Sequence, residues 1–159
     1  MLPTVYNPST VRRILVSVDG SDHAKRAAQV AIQLASSYKA SVVIVSVVSP
    51  PGFYIAGPVG APADLTDDLP AYYRAGVEDA NTAVASAKAI AKSAGVEAES
   101  KVIQPAASVV EGIVDYASSE KVDLVVVGTR GLGGFKKMLL GSVSSGVVAH
   151  APCTVLIVR

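Results

Sequence analysis

Short apolar runs of strand length alternate with longer segments of helical periodicity along almost the whole chain. The apolar runs cover residues 12–18, 41–48, 96–103, 123–127 and 153–158 and are rich in β-branched side chains, which is typical of strands buried on both faces. Between them, apolar residues recur at helical spacing over residues 24–38, 72–94, about 108–120 and about 142–150. We therefore expect five strands and four helices in strict alternation.

This order of elements predicts an α/β fold. Each strand-helix-strand step crosses over right-handed, so the strands form an open, doubly wound parallel sheet with helices on both faces. Ligands of such sheets bind beyond the carboxyl ends of the strands, where the winding direction reverses. A turn at Asp19 follows the first strand, and a glycine-rich segment follows the fourth. If these two strands are neighbours, both loops flank one crevice.

Local signals mark several boundaries between the elements. Gly95 is a suitable residue to end the second helix, because glycine tolerates positive φ. Ser108 and Glu111 have the spacing of a capping box at the start of the third helix. Residues 49–71 contain five prolines and three glycines, which predicts a long loop that either covers a ligand or is simply mobile.

Length, charge and composition exclude several classes of function. The 159 residues suit one domain, and a net charge of +1 without a basic run longer than two residues argues against a nucleic-acid partner. No apolar run approaches the roughly 20 residues that cross a bilayer, and residues 1–10 do not resemble a secretory signal. With Cys153 as the only cysteine, a reducing, cytoplasmic location is expected.

The glycine-rich segment from Gly128 to Ser144 has the composition of an anion-binding site. Four glycines in seven residues allow the backbone amides to turn inward and form a nest. The next helix opens at Gly141-Ser142, where unpaired amides and the positive end of the helix dipole favour phosphate. The hydroxyls of Ser142 and Ser144 are expected to be additional donors. A glycine that only makes a tight turn is the simpler interpretation, but it does not explain the whole set.

Three motifs are recognisable along the chain: the spacing Gly128-x2-Gly131-x9-Gly141-Ser142, the Val-Asp-Gly-Ser turn at residues 18–21, and the closing Ala-Pro-Cys-Thr-Val-Leu-Ile-Val. Together they resemble the motifs of the universal stress protein family in its ATP-binding form. The run at residues 123–131 also matches. The resemblance covers residues 12–159 and leaves residues 1–10 as an N-terminal extension.

The resemblance implies a three-layer α/β/α fold of the adenine nucleotide α-hydrolase type, with strand order 3-2-1-4-5. It implies a homodimer formed by antiparallel pairing of the last strands, Thr154 to Val158, and ATP bound together with Mg²⁺ or Mn²⁺. Asp19 would bind the ribose, the backbone of Val47 would lie near the adenine, and the motif glycines with Ser142 would hold the phosphates. The full set of residues expected to bind the nucleotide is Ser17, Asp19, Val47, Gly128, Thr129, Arg130, Gly131, Gly141, Ser142, Val143 and Ser144.

Two of these assignments also follow from the residues themselves. A carboxylate on the first loop repels phosphate but accepts hydrogen bonds from ribose hydroxyls, so Asp19 suits the sugar end of the crevice; the alternative is a turn or helix-capping residue. The strand Thr154 to Val158 has no proline and no charge, which favours pairing of its edge with another copy. An edge covered within the monomer is the alternative.

Other reactive residues are given ordinary structural roles. His23 and His150 are expected at the surface or at helix ends, and no metal site built by the protein is indicated. Cys153 is expected in the core, because it has no catalytic partner in the sequence. Lys136 and Lys137 could reach a γ-phosphate, but a solvated face is the simpler interpretation.

The sequence favours a regulatory module that binds ATP over an enzyme, because no residue stands out as catalytic. Slow ATP hydrolysis or another nucleotide-processing activity is the alternative, since phosphoryl transfer needs a positioned base and metal ligands. A dimeric scaffold without nucleotide is a further alternative. The sequence leaves open whether ATP, AMP or another adenine nucleotide is preferred, and which proteins are its partners.

Overall fold

The computed structural model describes residues 11–49, 69–131 and 140–159. The expected N-terminal extension, most of the proline-rich loop, and residues 132–139 of the glycine-rich segment, including Lys136 and Lys137, lie outside the described residues. In chain order the elements are β1 (Arg13–Ser17), α1 (Asp22–Tyr38), β2 (Ser41–Val47), α2 (Leu69–Ser93), β3 (Ala98–Ile103), α3 (Val109–Ser119), β4 (Leu124–Gly128), α4 (Ser142–His150) and β5 (Thr154–Val158).

The five strands form one parallel sheet in the order β3-β2-β1-β4-β5, which confirms the predicted topology. β1 is the central strand, and its Val16 lies opposite Ile44 of β2 on one side and Val126 of β4 on the other. The chain winds outward from β1 through β2 to β3, then returns to β4 and winds the other way to β5. The winding direction therefore reverses between β1 and β4, as in other doubly wound sheets.

Helices cover both faces of the sheet and confirm the three layers. Ile14 and Val16 of β1 pack with the alanines of α1 and α2 on one face, whereas Leu15 packs with Ile113 of α3 and Val147 of α4 on the other. Successive residues of β1 are fully buried on opposite faces, because side chains alternate along a strand. This double burial explains why the strand sequences are almost continuously apolar.

Local signals in the sequence located most helix ends correctly. The Ser21 hydroxyl accepts a hydrogen bond from the Ala24 amide at the start of α1, and the Ser108 hydroxyl accepts one from the Glu111 amide at the start of α3. Gly95 has φ +69° after α2, as expected. α2 itself begins at Leu69, three residues before the predicted start. Proline is tolerated in the first turn of a helix, so Pro70 did not mark the end of the loop.

Charged groups fix the amino ends of the strands, opposite the crevice. One oxygen of Asp123 accepts hydrogen bonds from the Arg12 and Arg13 amides, at 2.8 and 2.9 Å. The Arg13 guanidinium bridges Glu99 and Glu120, and its hydrogen bond to Glu99 raises the pKa of Arg13 above its ordinary value. The Asp123 hydrogen bonds join the start of β4 to the start of β1, and the pairing of the two strands brings their carboxyl ends side by side at the opposite edge of the sheet.

Helices α3 and α4 pack closely at a glycine. A Cβ atom at Gly146 would lie 2.6 Å from Cγ2 of Val110, which is closer than carbon atoms approach in packed interiors. In contrast, a Cβ atom at Gly76 of α2 would meet Val48 at an ordinary 3.4 Å. None of the helices in the described part of the chain is long and apolar enough to span a bilayer.

The two helical glycines predict opposite effects of the same substitution. Gly76→Ala should raise the free energy of unfolding by about 0.5–1 kcal/mol, because alanine loses less conformational entropy in a helix. Gly146→Ala should lower it by about 1–3 kcal/mol, because the added methyl group overpacks the α3–α4 contact. Urea denaturation of both variants measures the difference. Stabilisation by Gly146→Ala would contradict the close packing. In the double variant Val110→Ala/Gly146→Ala, part of the lost free energy of unfolding should be recovered, because the contacting methyl groups of Val110 are removed.

Candidate functional site

The carboxyl ends of β1 and β4 lie side by side and open into the predicted crevice. The last residue of β1, Ser17, is half-buried and pairs with Val45 of β2. β4 ends at Gly128, and the glycine-rich segment starts there. Because the chain leaves β1 toward one side of the sheet and β4 toward the other, the two following loops flank the gap between them.

Asp19 and Gly131 meet across this crevice. Asp19 is exposed, and its Oδ1 atom accepts a hydrogen bond from the Ser21 amide at 2.9 Å. A Cβ atom at Gly131 would lie 2.6 Å from Oδ2 of the same carboxylate. Asp19 therefore stabilises its own turn with one oxygen and faces the glycine loop with the other. The alternative role for Asp19 was a turn or a helix cap: the turn is present in this hydrogen bond, whereas the cap is supplied by Ser21.

The backbone of Val47 is directed toward the same crevice. The Val45 carbonyl accepts a hydrogen bond from the Val18 amide, so Val45 turns its backbone groups toward β1. The direction of the backbone N–H and C=O groups alternates along a strand, so those of Val47 point to the same side as those of Val45. The pairing of β2 with β1 ends at Val45, so Val47 lies beyond the end of β1. Its side chain instead faces α3, where a Cβ atom at Gly112 would lie 2.7 Å from Cγ1 of Val47.

Thr129 connects three elements below the glycine loop. The residue is 3% exposed, and its backbone amide donates to the Val158 carbonyl of β5 at 2.8 Å. Its carbonyl accepts hydrogen bonds from the Gly141 amide at 2.7 Å and from the Ser144 hydroxyl at 3.0 Å. Its Oγ1 atom lies 3.2 Å from Nδ1 of His23 in α1. The two ends of the loop are thus held together by one residue.

The start of α4 contributes backbone groups more than side chains. Gly141 is the N-cap and makes no side-chain cap hydrogen bond, and the first helical hydrogen bond runs from the Ser145 amide to the Gly141 carbonyl. The amides of exposed Ser142 and half-buried Val143 therefore have no acceptor within the helix. These amides, with the Ser142 hydroxyl, are the groups that α4 offers to an anion.

Three residues expected to bind phosphate have additional roles in the packing. The buried Ser144 hydroxyl is directed at the carbonyls of Thr129 and Gly141. The Gly141 amide is bonded to Thr129, as described above. A Cβ atom at Gly128 would lie 2.8 Å from the carbonyl carbon of His23, so this glycine allows α1 to approach β4. These contacts shape the loop that carries the remaining amides.

Arg130 follows Thr129 and is half-buried beside the crevice. Its Nε atom is buried and has no hydrogen-bond partner within the described residues. A buried guanidinium nitrogen without a partner costs free energy, so an anionic group in the crevice would suit this side chain.

Sequence analysis missed the role of His23. We expected a surface or cap residue, whereas the ring is half-buried and contacts Thr129, 106 positions away. Its place in the first turn of a helix beside the crevice was the only signal in the sequence. His150, by contrast, is exposed and bonds within its own helix, through Nδ1 to the Gly146 carbonyl.

Within residues 11–49, 69–131 and 140–159, no three His, Cys, Asp or Glu side chains come together in a way that could hold a metal ion. Cys153 is half-buried against the core between the sheet and α4, as expected for a small packing residue. Burial and the nearby charge of Asp123 raise the pKa of its thiol, which disfavours the reactive thiolate.

The fold and the site define a class, the doubly wound α/β proteins with a glycine-rich loop at the point where the winding reverses. Within this class, residues 10–159 match the Universal stress protein family. A relative from Thermus aquaticus, named "Universal stress protein in QAH/OAS sulfhydrylase 3'region", is 39% identical in an alignment of 151 positions that covers 93% of this chain and 98% of the relative. The chain therefore belongs to the universal stress protein family.

Solved structures of the family share the fold described above. UspA from Lactobacillus plantarum superposes with a TM-score of 0.78 at 28% identity, covering 94% of this chain and 98% of its own. A universal stress protein crystallised in complex with cAMP superposes with a TM-score of 0.66 at 30% identity, covering 93% and 97%. The second structure shows that a relative with this fold binds an adenine nucleotide.

Proposed function

We propose that this protein binds ATP or a related adenine nucleotide in the crevice between β1 and β4, and that it acts as a nucleotide-dependent regulatory module. The observation that carries the proposal is the meeting of Asp19 and Gly131 at the point where the winding reverses. A hydrogen-bond acceptor for a sugar and a backbone cradle for phosphate are thereby adjacent. The relative that binds cAMP supports an adenine nucleotide as the ligand.

The nucleotide would lie along the carboxyl ends of three strands. The Val47 backbone offers one donor and one acceptor to the edge of the base, as a peptide group can. Asp19 would accept hydrogen bonds from the ribose hydroxyls. The phosphates would meet the amides of Arg130 and Gly131 and the first turn of α4, where the helix dipole also favours negative charge.

A divalent ion would depend mainly on the nucleotide for its ligands. Asp19 and Asp22 are the carboxylates of the first loop and helix start, and Asp22 already lies 3.6 Å from the Lys25 amine. Mg²⁺ commonly binds through one or two carboxylates together with substrate phosphates, and because Asp19 is assigned to the ribose, the described part of the crevice has few carboxylates to offer it. This sparse set of ligands favours binding over rapid phosphoryl transfer.

The direct test is mass spectrometry of nucleotide released from the purified protein, followed by incubation with ATP and Mg²⁺. We expect an adenine nucleotide to be released, and added ATP to stay bound without accumulation of ADP. Rapid formation of ADP would instead indicate an enzyme. Absence of nucleotide, together with no binding of added ATP, AMP or cyclic AMP, would contradict the proposal and favour a scaffold.

Gly131→Val should abolish ATP binding while the protein remains folded. The new side chain would occupy the space between the loop backbone and the Asp19 carboxylate. Asp19 is exposed and can turn away in the absence of ligand, so the substitution need not disturb the core. Calorimetric titration with ATP measures the loss, and thermal unfolding checks the fold. ATP affinity equal to that of the parent would contradict the assigned phosphate site.

Asp19→Ala and Asp22→Ala form a matched pair, because each removes one negative charge near the crevice. Loss of charge alone should strengthen the binding of an anion in both variants. Asp19→Ala should nevertheless weaken ATP binding about tenfold, equivalent to about 1.4 kcal/mol, because the ribose loses its acceptor. Asp22→Ala should bind as well as the parent or better. Equal affinities in calorimetry would remove Asp19 from the site.

We further propose that β5 pairs with β5 of a second copy. β5 occupies an outer position in the sheet, and its side chains are mostly half-buried. The Val158 carbonyl is bonded to Thr129 on the β4 side, so by alternation Ile157 turns its N–H and C=O to the outer edge. A second copy in antiparallel orientation can satisfy these groups.

Proline at position 157 tests this dimer. Ile157→Pro removes an outward N–H group and should leave the bonds to β4 intact, since proline is tolerated on edge strands. Multi-angle light scattering should give twice the chain mass for the parent and for the control Ile157→Val, and the mass of one chain for Ile157→Pro. A dimer that persists in Ile157→Pro, or a monomeric parent, would contradict the proposed interface.

A further inference from the structure

A hydrogen bond joins the first turn of α1 to the base of the glycine loop. Nδ1 of His23 lies 3.2 Å from Oγ1 of Thr129, and the two residues are 106 positions apart in the chain. His23 is half-buried, whereas Thr129 is 3% exposed. Through this bond the Thr129 side chain, at the end of β4, contacts helix α1 in the neighbouring layer of the fold.

The other hydrogen bonds of Thr129 all use its backbone. The amide donates to Val158, and the carbonyl accepts from Gly141 and Ser144. They fix the distance between the two ends of the loop, on the side of β5 and α4. The bond to His23 acts from the opposite side, because α1 covers the other face of the sheet. Together these contacts hold the peptide that leads into Arg130 and Gly131.

The backbone of His23 packs against the last residue of β4. If Gly128 carried a Cβ atom, that atom would lie 2.8 Å from the carbonyl carbon and 2.9 Å from Cβ of His23. Only a glycine at position 128 therefore allows the first turn of α1 to approach β4 this closely. This close approach brings the His23 ring within reach of Thr129.

The chemistry of the pair suits a fixed contact. Nδ1 of a neutral imidazole can either accept a hydrogen bond from the threonine hydroxyl or donate one to the hydroxyl oxygen. Either tautomer satisfies the buried Oγ1 atom. Without the ring, the hydroxyl would be left in a buried position with no partner from α1, and it would then favour other rotamers.

We propose that His23 is a positioning residue for nucleotide binding. Through Nδ1 and Thr129, it sets the direction of the Arg130 and Gly131 amides relative to the start of α4. The ring acts through Thr129 and makes no contact with the nucleotide. This inference rests on the proposed function, because it assigns a role within the same nucleotide site.

Three substitutions at position 23 separate the hydrogen bond from other effects of the ring. Asparagine places its side-chain amide where Nδ1 is, glutamine places it one atom farther out, and leucine has no polar atom. In calorimetric titrations with ATP, His23→Leu and His23→Gln should weaken binding about tenfold. His23→Asn should stay within about threefold of the parent. The proposal would be overturned if all three variants bound ATP with the same affinity, or if His23→Asn and His23→Gln lost ATP affinity to the same extent.

Substitutions at Thr129 test the partner side of the bond. Thr129→Val removes the hydroxyl at similar volume, whereas Thr129→Ser retains it. We expect Thr129→Val to weaken ATP binding about tenfold and Thr129→Ser to retain most of the affinity of the parent. The double variant His23→Leu/Thr129→Val should bind no more weakly than either single variant, because both remove the same bond. Losses that multiply in the double variant would overturn the proposal.

Amide hydrogen exchange in protein without nucleotide separates this inference from the proposed function. His23→Leu and His23→Gln should accelerate exchange of the hydrogen-bonded amides of Thr129, Gly141 and Ser145 at least tenfold, whereas His23→Asn should not. Exchange at residues 80–90 of α2 serves as the internal control. If the parent binds no nucleotide, the proposed function fails, and the exchange pattern still decides whether His23 positions the loop. Unchanged exchange in His23→Leu would overturn the inference even in a protein that binds ATP.

Discussion

The two hydrogen bonds accepted by the Thr129 carbonyl determine the geometry of the candidate site. They come from the Gly141 amide and the Ser144 hydroxyl, and they close a segment of eleven residues, 130–140, at its base. The amide of the same residue extends the pairing of β4 with β5. The start of α4 is therefore fixed to the sheet directly beside the peptides of Arg130 and Gly131. A site organised in this way has less conformational freedom to lose when it binds an anion.

The order of strands and helices could be predicted because the signals are local. Strands such as β1 and β4 are covered on both faces, so their sequences show continuous apolar runs. Strand order could not be predicted in this way, because periodicity does not specify which strands are neighbours. The order 3-2-1-4-5 was expected only from the family resemblance. Boundaries at the sheet edge were less accurate. Val96 was assigned to β3, but its amide bonds to the Ala91 carbonyl of the preceding helix, and the strand begins at Ala98.

The candidate site was predictable in location but less so in detail. Spacing identified Gly131 and the start of α4, because glycine content and a helix start are visible along the chain. The contacts of Ser144 and His23 were not visible, because each depends on a residue brought near by the fold. A serine in the first turn of a helix can donate to a ligand or to a neighbouring carbonyl, and only the position of Thr129 decides between these outcomes.

The three motif glycines show that residues of one sequence motif need not share one structural role. Gly128 lies against the His23 backbone, Gly131 against the Asp19 carboxylate, and Gly141 against the Thr129 carbonyl. A side chain at the first would separate α1 from the sheet, whereas a side chain at the second would fill the crevice itself. The motif therefore combines two features: the close approach of packed elements at Gly128, and an open backbone at Gly131, where we propose that the nucleotide phosphates bind. Because the first feature holds the loop and the second exposes its amides, substitutions within one motif affect stability and binding to different degrees.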